Sequence, residues 1–275
     1  MSESSALSST KAIASLADLR LWMAHQGLEA AYVTSPVSIA YLTGFRANPH
    51  ERLMALAVRG GSATLVVPAI ERDRAATNSH QVPVQAWRDG EDPYALVLEA
   101  LGQCVRLGVE KEHLTVRAAE SLGSVVGARE LVDLAPELRR LRRNKSHAEL
   151  EKLERACAIT DSVAEELRAG PRPGQSELAL AVSISAAIGE RDAAPSFEPS
   201  VQSGPNSAIP HHNPGGRKLE AGDLVLFDFG AAFEGYPGDL TRMAVVGAPT
   251  SRQREVYSVV LQAHDTAIEA LRAGA

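Results

Sequence analysis

Cysteine is nearly missing from this sequence of 275 residues: Cys104 and Cys157 are the only two, each in a helix-like stretch, and no CxxC pair occurs. That excludes a disulfide framework and a cysteine-built zinc site, and it points to a reducing compartment. Positive charge is not in excess either. The net charge of -6 argues against nucleic acid or an anionic membrane as partner, since both favour a basic surface. Long apolar runs are absent: no stretch approaches the roughly 18 residues of a membrane span, and the first twenty residues, "MSESSALSSTKAIASLADLR", lack an apolar leader core. The expected location is the cytoplasm, with no membrane association. What remains is ordinary for a soluble globular chain, with 45% hydrophobic and 23% charged residues, enough for one large or two ordinary domains.

From Lys11 to about Ala135, helix-like and strand-like segments alternate. Ile13–Gln26 reads as an amphipathic helix ended by Gly27, and Ala30–Thr34 as a strand followed by a Ser35-Pro36 helix start. "LMALAV" and "ATLVVP" flank Gly60-Gly61 as a hairpin. Helices near 69–78, 93–104 and 116–126 alternate with the strands "VPVQAW", "RLGVE" and "ELVDL". The alternation predicts a mixed sheet flanked by helices, an α/β (α+β) fold. The boundaries follow as a first domain over 11–138, a basic linker "RRLRRNKS" over 139–146, and a second domain over 147–275. That second domain is expected to open with a helix over 147–168, capped by Ser146 and Glu149, with Leu150, Leu153, Cys157, Ala164 and Leu167 on its inner face. Further helices over 177–189 and 253–272 enclose a strand at 199–203 and a hairpin.

That hairpin, "GDLVLFDFGAAFEGYPGDLTRMAVVG", carries the chemistry. In its first strand Val225, Phe227, Phe229 and Ala231 share one face, plainly core, and Leu224, Leu226, Asp228 and Gly230 share the other. With a two-residue turn at Phe233–Glu234 or Glu234–Gly235, Asp228 and Asp239 fall on one face. They are then directly opposite or one diagonal step apart, with Cβ atoms roughly 4.5–8 Å from each other. Two carboxylates that close repel unless a cation lies between them, and one or two divalent metal ions are the economical explanation. The alternative is that Asp228 caps a turn or pairs with Arg242. His211, in the Pro/Gly/Asn-rich loop "SGPNSAIPHHNPGG", could bind substrate, donate to a developing oxyanion or shuttle a proton; taken alone it reads, like its neighbour His212, as an ordinary exposed histidine, and the loop's composition only modestly favours the functional role for His211. The tripeptide at Asp228–Gly230 also matches the kinase DFG motif. That reading fails, because no G-x-G-x-x-G or HRD-type loop accompanies it.

With these residues in view, the chain resembles the pita-bread metallopeptidases: Xaa-Pro dipeptidases (prolidases), aminopeptidase P, methionine aminopeptidases and creatinase. "YVTSPVSIAYLTGF" is similar to the opening of the creatinase/prolidase N-terminal domain, and "RRNKSHAELEKLERACAITD" to the linker and first helix of the catalytic domain. "SFEPSVQSGPNSAIPHH" and "LEAGDLVLFDFGAAFEGYPGDLTR" resemble the substrate-histidine loop and the two-aspartate metal hairpin. The resemblance implies a creatinase/prolidase-like N-terminal domain followed by a partial pita-bread domain. It implies a dinuclear metal-dependent exopeptidase acting on Xaa-Pro bonds of a proline-containing peptide, with two divalent ions (Mn, Co or Zn) and a homodimer. Asp228 would ligate one metal, Asp239 would bridge both, and His211 would contact the substrate. The family uses five ligands, and the histidine and two glutamates that complete the set find no matching motif before Ala275. The expectation is therefore an incomplete form, truncated in the second half of the catalytic domain. A non-catalytic peptide- or protein-binding member and a creatinase-like C–N hydrolase stay open.

Overall fold

The computed structural model describes residues 15–80 and 82–274. It separates into two compact units, the first ending at Ala148 and the second beginning at Glu149.

The first unit opens with helix α1 (15–25); the expected start at Ile13 lies outside the described residues. Gly27, at φ +63°, turns the chain out of it. Strand β1 (Ala30–Val33) leads into helix α2 (Pro36–Thr43), and β2 (Ala55–Arg59) and β3 (Ser62–Pro68) form the expected hairpin. Helix α3 (Arg72–Asn78), β4 (Val84–Trp87), α4 (Pro93–Leu101), β5 (Arg106–Val109), α5 (Val116–Val125) and β6 (Glu130–Asp133) follow. The strands join in one six-stranded sheet of order β4-β3-β2-β1-β5-β6. Only β2 runs against its neighbours. β1 is buried along its whole length because both faces are covered. Ala31 and Val33 join a cluster with α1 and α2, whereas Ala30 and Tyr32 join one with α4 and α5, as period-two alternation requires. The N-terminus of α2 is closed by a buried acid from elsewhere: Glu110 accepts from Thr34 N and Ser35 N at 3.0 and 2.9 Å.

Three expectations need correction. Helix α4 stops at Leu101 rather than Cys104, because Gly102 leaves helical geometry at φ +60°. The stretch read as a linker is helical through Arg143, forming α6 (Ala135–Arg143). Arg139, Arg140 and Arg143 are exposed while Leu138 and Leu141 enter the first unit's core, so basic composition concealed an amphipathic helix. In α7 (His147–Glu166) the inner face is rotated from the expected one. Ala156, Ile159, Thr160 and Val163 are buried, while Leu150 and Cys157 are exposed.

In the second unit α7 and α8 (Glu177–Gly189) pack on a three-stranded sheet. That sheet, of order β12-β9-β8, comprises β8 (Ser200–Ser203), β9 (Leu224–Phe229) and β12 (Leu240–Val245). The short strands β7 (Ala194–Pro195), β10 (Ala231–Phe233) and β11 (Tyr236–Pro237) form a second small sheet. Val225, Phe227, Phe229 and Ala231 are buried, as their parity predicts. Helix α9 (Ser251–Ala270) closes the described chain, begun by a Thr250/Gln253 capping box, and buries none of its residues. No helix among the described residues is long and apolar enough to cross a membrane.

Candidate active site

The aspartate face is built by register. Strand β9 is central, with Ser200 of β8 paired to Asp228 on one side and Thr241 of β12 on the other. The Thr241 hydroxyl donates to Asp228 Oδ1 at 3.2 Å. Beyond Phe229 the two chains continue as β10 and β11, with Phe233 paired to Tyr236 around a two-residue turn at Glu234–Gly235. Both turn residues have positive φ, +46° and +79°, as a type I′ hairpin turn requires. The register is the same on both sides of the interruption, so Asp239 falls opposite Gly230, one diagonal step from Asp228 and on the same face.

Two glycines allow this crossing. A Cβ on Gly230 would lie 1.9 Å from the Gly238 carbonyl oxygen, and one on Gly238 would lie 2.8 Å from Thr160 Oγ1 of α7. The same threonine accepts from Ala231 N at 2.9 Å, and Ser196 Oγ donates to Gly238 O at 2.7 Å. The turn itself is braced on α7 by Lys152, 2.8 Å from Glu234, and by Tyr236 OH, which donates to Glu149 at 3.1 Å.

Asp228 is half-buried and Asp239 exposed. Among the described residues neither joins an ion pair, and Arg242 instead donates to the Thr241 carbonyl at 3.0 Å from a position paired with Phe227. Two carboxylates so placed suit a divalent cation as donors. Among the described residues no group of three or more His, Cys, Asp or Glu is gathered to hold a metal, so these two fit as part of a donor set.

The histidine loop is tied to this face. Ser200, which shares Asp228's side of the sheet by register, donates from Oγ to the His212 carbonyl at 2.8 Å. His211 is exposed, at φ +56°. His212, read from sequence as an ordinary exposed residue, is half-buried with Nε2 at 3.0 Å from Glu177. Glu177 is fully buried in the first turn of α8. Its Oε1 accepts from Ser203 N, Ser203 Oγ and Asn206 Nδ2 at 2.8, 2.7 and 2.9 Å, and Gly215 N lies 3.4 Å from Oε2. Burial alone would push this carboxyl up, yet the donors on Ser203, Asn206 and His212 outweigh it and bring it down to about 2. Beside it Arg217 donates to Ser203 Oγ at 2.6 Å and to both oxygens of Asp223 at 2.6 and 3.1 Å; the Arg217 hydrogen bonds hold Asp223 below the usual carboxylate range.

Sequence reasoning singled out Asp228, Asp239 and His211 and passed over Glu177, His212 and Ser200. A glutamate after an N-cap serine reads as a solvated first-turn acid, and its donors lie 26 to 38 positions away. The one available signal was its place at the head of the apolar run "LALAVSI".

Comparison with known proteins follows the division into units. Residues 16–143 match the creatinase/prolidase N-terminal domain, and residues 151–275 match metallopeptidase family M24. The chain is 32% identical over 252 residues to an uncharacterized peptidase of Staphylococcus aureus, a match covering 91% of this chain and 71% of that one. Among solved structures it is similar to a prolidase from Thermococcus sibiricus, with a TM-score of 0.85 and 31% identity over 93% of this chain and 71% of that one. It is also similar to a prolidase from Pyrococcus horikoshii, with a TM-score of 0.86 and 28% identity over 94% of this chain and 72% of that one.

Proposed function

Because the chain belongs to metallopeptidase family M24, with a creatinase/prolidase N-terminal domain ahead of it, we propose that its Asp228–Asp239 face is part of a dinuclear site for hydrolysing Xaa-Pro peptide bonds. The observation that carries this reading is the Ser200–His212 link, which ties the histidine loop to the side of the sheet bearing both aspartates. The solved prolidases to which the chain is similar support the substrate class.

In this reading Asp228, steadied by the Thr241 hydroxyl at 3.2 Å, and Asp239 would supply carboxylate ligands to the divalent ions. Ions bound there would polarise the scissile carbonyl and lower the pKa of water. His211 presents a ring N–H to the carbonyl oxygen as negative charge builds on it. The loop's attachment through Ser200 and Glu177 holds that ring in place before substrate arrives, so little reorganisation is needed at the reacting bond. The substrate in this reading is a proline-containing peptide, and the homodimer implied by the family resemblance is the expected assembly.

The test has two arms. Electron paramagnetic resonance with Mn²⁺ is expected to show binding that weakens at least roughly tenfold in Asp228→Asn or Asp239→Asn, since each removes a ligand charge. Cleavage of an Xaa-Pro dipeptide with Mn²⁺, assayed in an extended form carrying the full ligand set, is expected to vanish in either Asp→Ala variant and to fall on the order of a hundredfold in His211→Ala. A double Asp228→Ala, Asp239→Ala protein that still cleaves sinks the reading. Creatine, assayed in parallel, separates a C–N hydrolase from a peptidase.

A further inference from the structure

The histidine loop is gathered around one buried carboxylate, and it is not one of the aspartates. Glu177 Oε1 and Oε2 collect contacts from Ser203 at one end of the loop, Asn206 and His212 within it, and Gly215 near its other end. The backbone of α8's first turn closes the same ring, with Glu177 N donating to Arg217 O at 3.2 Å and Leu178 N to Gly215 O at 3.0 Å. Around one fully buried carboxylate the chain therefore makes a closed circuit from 203 to 217, and His211 projects outward from it next to the anchored His212.

From this geometry we infer that Glu177 is a positioning residue for the candidate active site: its ionised carboxylate fixes the 203–217 loop and so sets where His211 stands relative to Asp228 and Asp239. The inference rests on the reading of that face as a metal-dependent hydrolytic site.

Chemistry explains why a glutamate does this rather than an apolar residue or an amide. Each group that faces Glu177 is a donor: two main-chain N–H groups, a hydroxyl, a carboxamide and an imidazole N–H. A carboxylate offers acceptor capacity only, about four lone-pair sites on two oxygens, and suits an all-donor ring. A glutamine would bring an NH₂ against one of these donors and leave a buried pair unsatisfied. The contact from His212 also fixes its tautomer, because Nε2 must carry the proton it gives to Glu177. Ser200 adds the link to the catalytic face, since its hydroxyl holds the His212 carbonyl beside the strand position of Asp228. Displacing His212 would displace both its neighbour His211 and that link.

The experiment compares the native 275-residue chain with Glu177→Gln and, as a milder disruption, His212→Asn. Amide hydrogen exchange is read for 203–217 and for the 224–245 hairpin, and Mn²⁺-induced broadening is read for the His211 ring and the Thr241 amide. In Glu177→Gln, exchange in 203–217 is expected to rise at least tenfold while the hairpin stays protected. Broadening of His211 by Mn²⁺ is expected to drop severalfold while that of Thr241, beside Asp228, is retained. A purely structural role would alter exchange in the hairpin and loop together and move both broadenings alike. If loop exchange and His211 broadening match the native chain, Glu177 does not position the loop and the inference is overturned. Should Glu177→Gln fail to fold, His212→Asn decides by the same pair of readouts. Absence of Mn²⁺ broadening at Thr241 in the native chain would defeat the metal reading instead, and loop exchange in the variants then judges the anchor alone.

Discussion

The two units solve the same problem, a sheet with helices packed on it, to different degrees. In the first, β1 is buried at every position and divides its side chains between two clusters. In the second, β9 alternates buried and half-buried residues, with α7 and α8 on one face only. Helix α9 buries nothing: Val256, Val259 and Val260 form an exposed apolar stripe, and its first turn is held by the Thr250 cap and by Gln253 Nε2 donating to Gly222 O at 3.0 Å. A strand covered on both sides has no room for a carboxylate. One covered on a single side does, and that is where Asp228 sits. The face left open in the second unit is the same face that can carry chemistry.

That contrast can be broken in four places. The largest effect is expected in the first unit's core. Leu107→Ala, in a fully buried strand position, should destabilise by about 3 kcal/mol, whereas Val260→Ala on the bare face of α9 should stay within about 0.5 kcal/mol. Both tryptophans, Trp22 and Trp87, lie in the first unit, so their fluorescence in denaturant reads Leu107→Ala, and amide exchange across the second unit reads Val260→Ala. A large loss from Val260→Ala would show that α9 is buried in solution.

Next comes Gly230→Ala. The added methyl meets the Gly238 carbonyl at 1.9 Å, and the strain is expected to cost about 2–3 kcal/mol, appearing as faster amide exchange across β9 and β12 with the first unit unchanged. Equal loss of protection in both units would contradict their separate cores.

The third is acid sensitivity. Glu177 is held at about 2 against an ordinary 4.5, so its ionised form stabilises the fold above pH 4.5, and that contribution drains away as pH falls toward 2. In the first unit the lowered carboxyls of Glu29, Asp89 and Glu130 are solvent-screened surface groups. The second unit should therefore lose exchange protection first as pH is lowered, and Glu177→Gln should flatten that dependence. Identical acid profiles for native and variant chains would remove Glu177 from the account.

The smallest change in stability is expected from Asp228→Asn. Removing one of two like charges whose contact is the Thr241 hydroxyl should alter stability by less than about 1 kcal/mol, with a neutral or stabilising sign, although it weakens Mn²⁺ binding. A loss above about 2 kcal/mol would mean the carboxylate is a structural anchor.

Much of the fold was legible because periodicity is local. The β2–β3 hairpin followed from Gly60-Gly61, α8 from an apolar run with a serine before it, and the inward face of β9 from strict alternation. Two failures share one cause. In α6 three arginines of the last turn masked the pair Leu138 and Leu141, and in α7 small residues such as Ala156 and Thr160 face inward while Leu150 faces out. Size and charge at single positions outweighed the spacing, yet burial is decided by what lies opposite.

Sequence alone placed Asp228 and Asp239 on one face on the condition of a two-residue turn, because parity across a hairpin depends on the number of residues in the turn, and the structure supplies that turn at Glu234–Gly235. Which histidine is anchored, and by what, belonged to the tertiary structure. Glu177 meets Ser203, His212 and Gly215 only when α8 is laid on the sheet, and no local pattern marks a polar contact made across 26 to 38 residues. A buried charge is stable only if the fold delivers its donors, and that delivery is a property of packing in three dimensions.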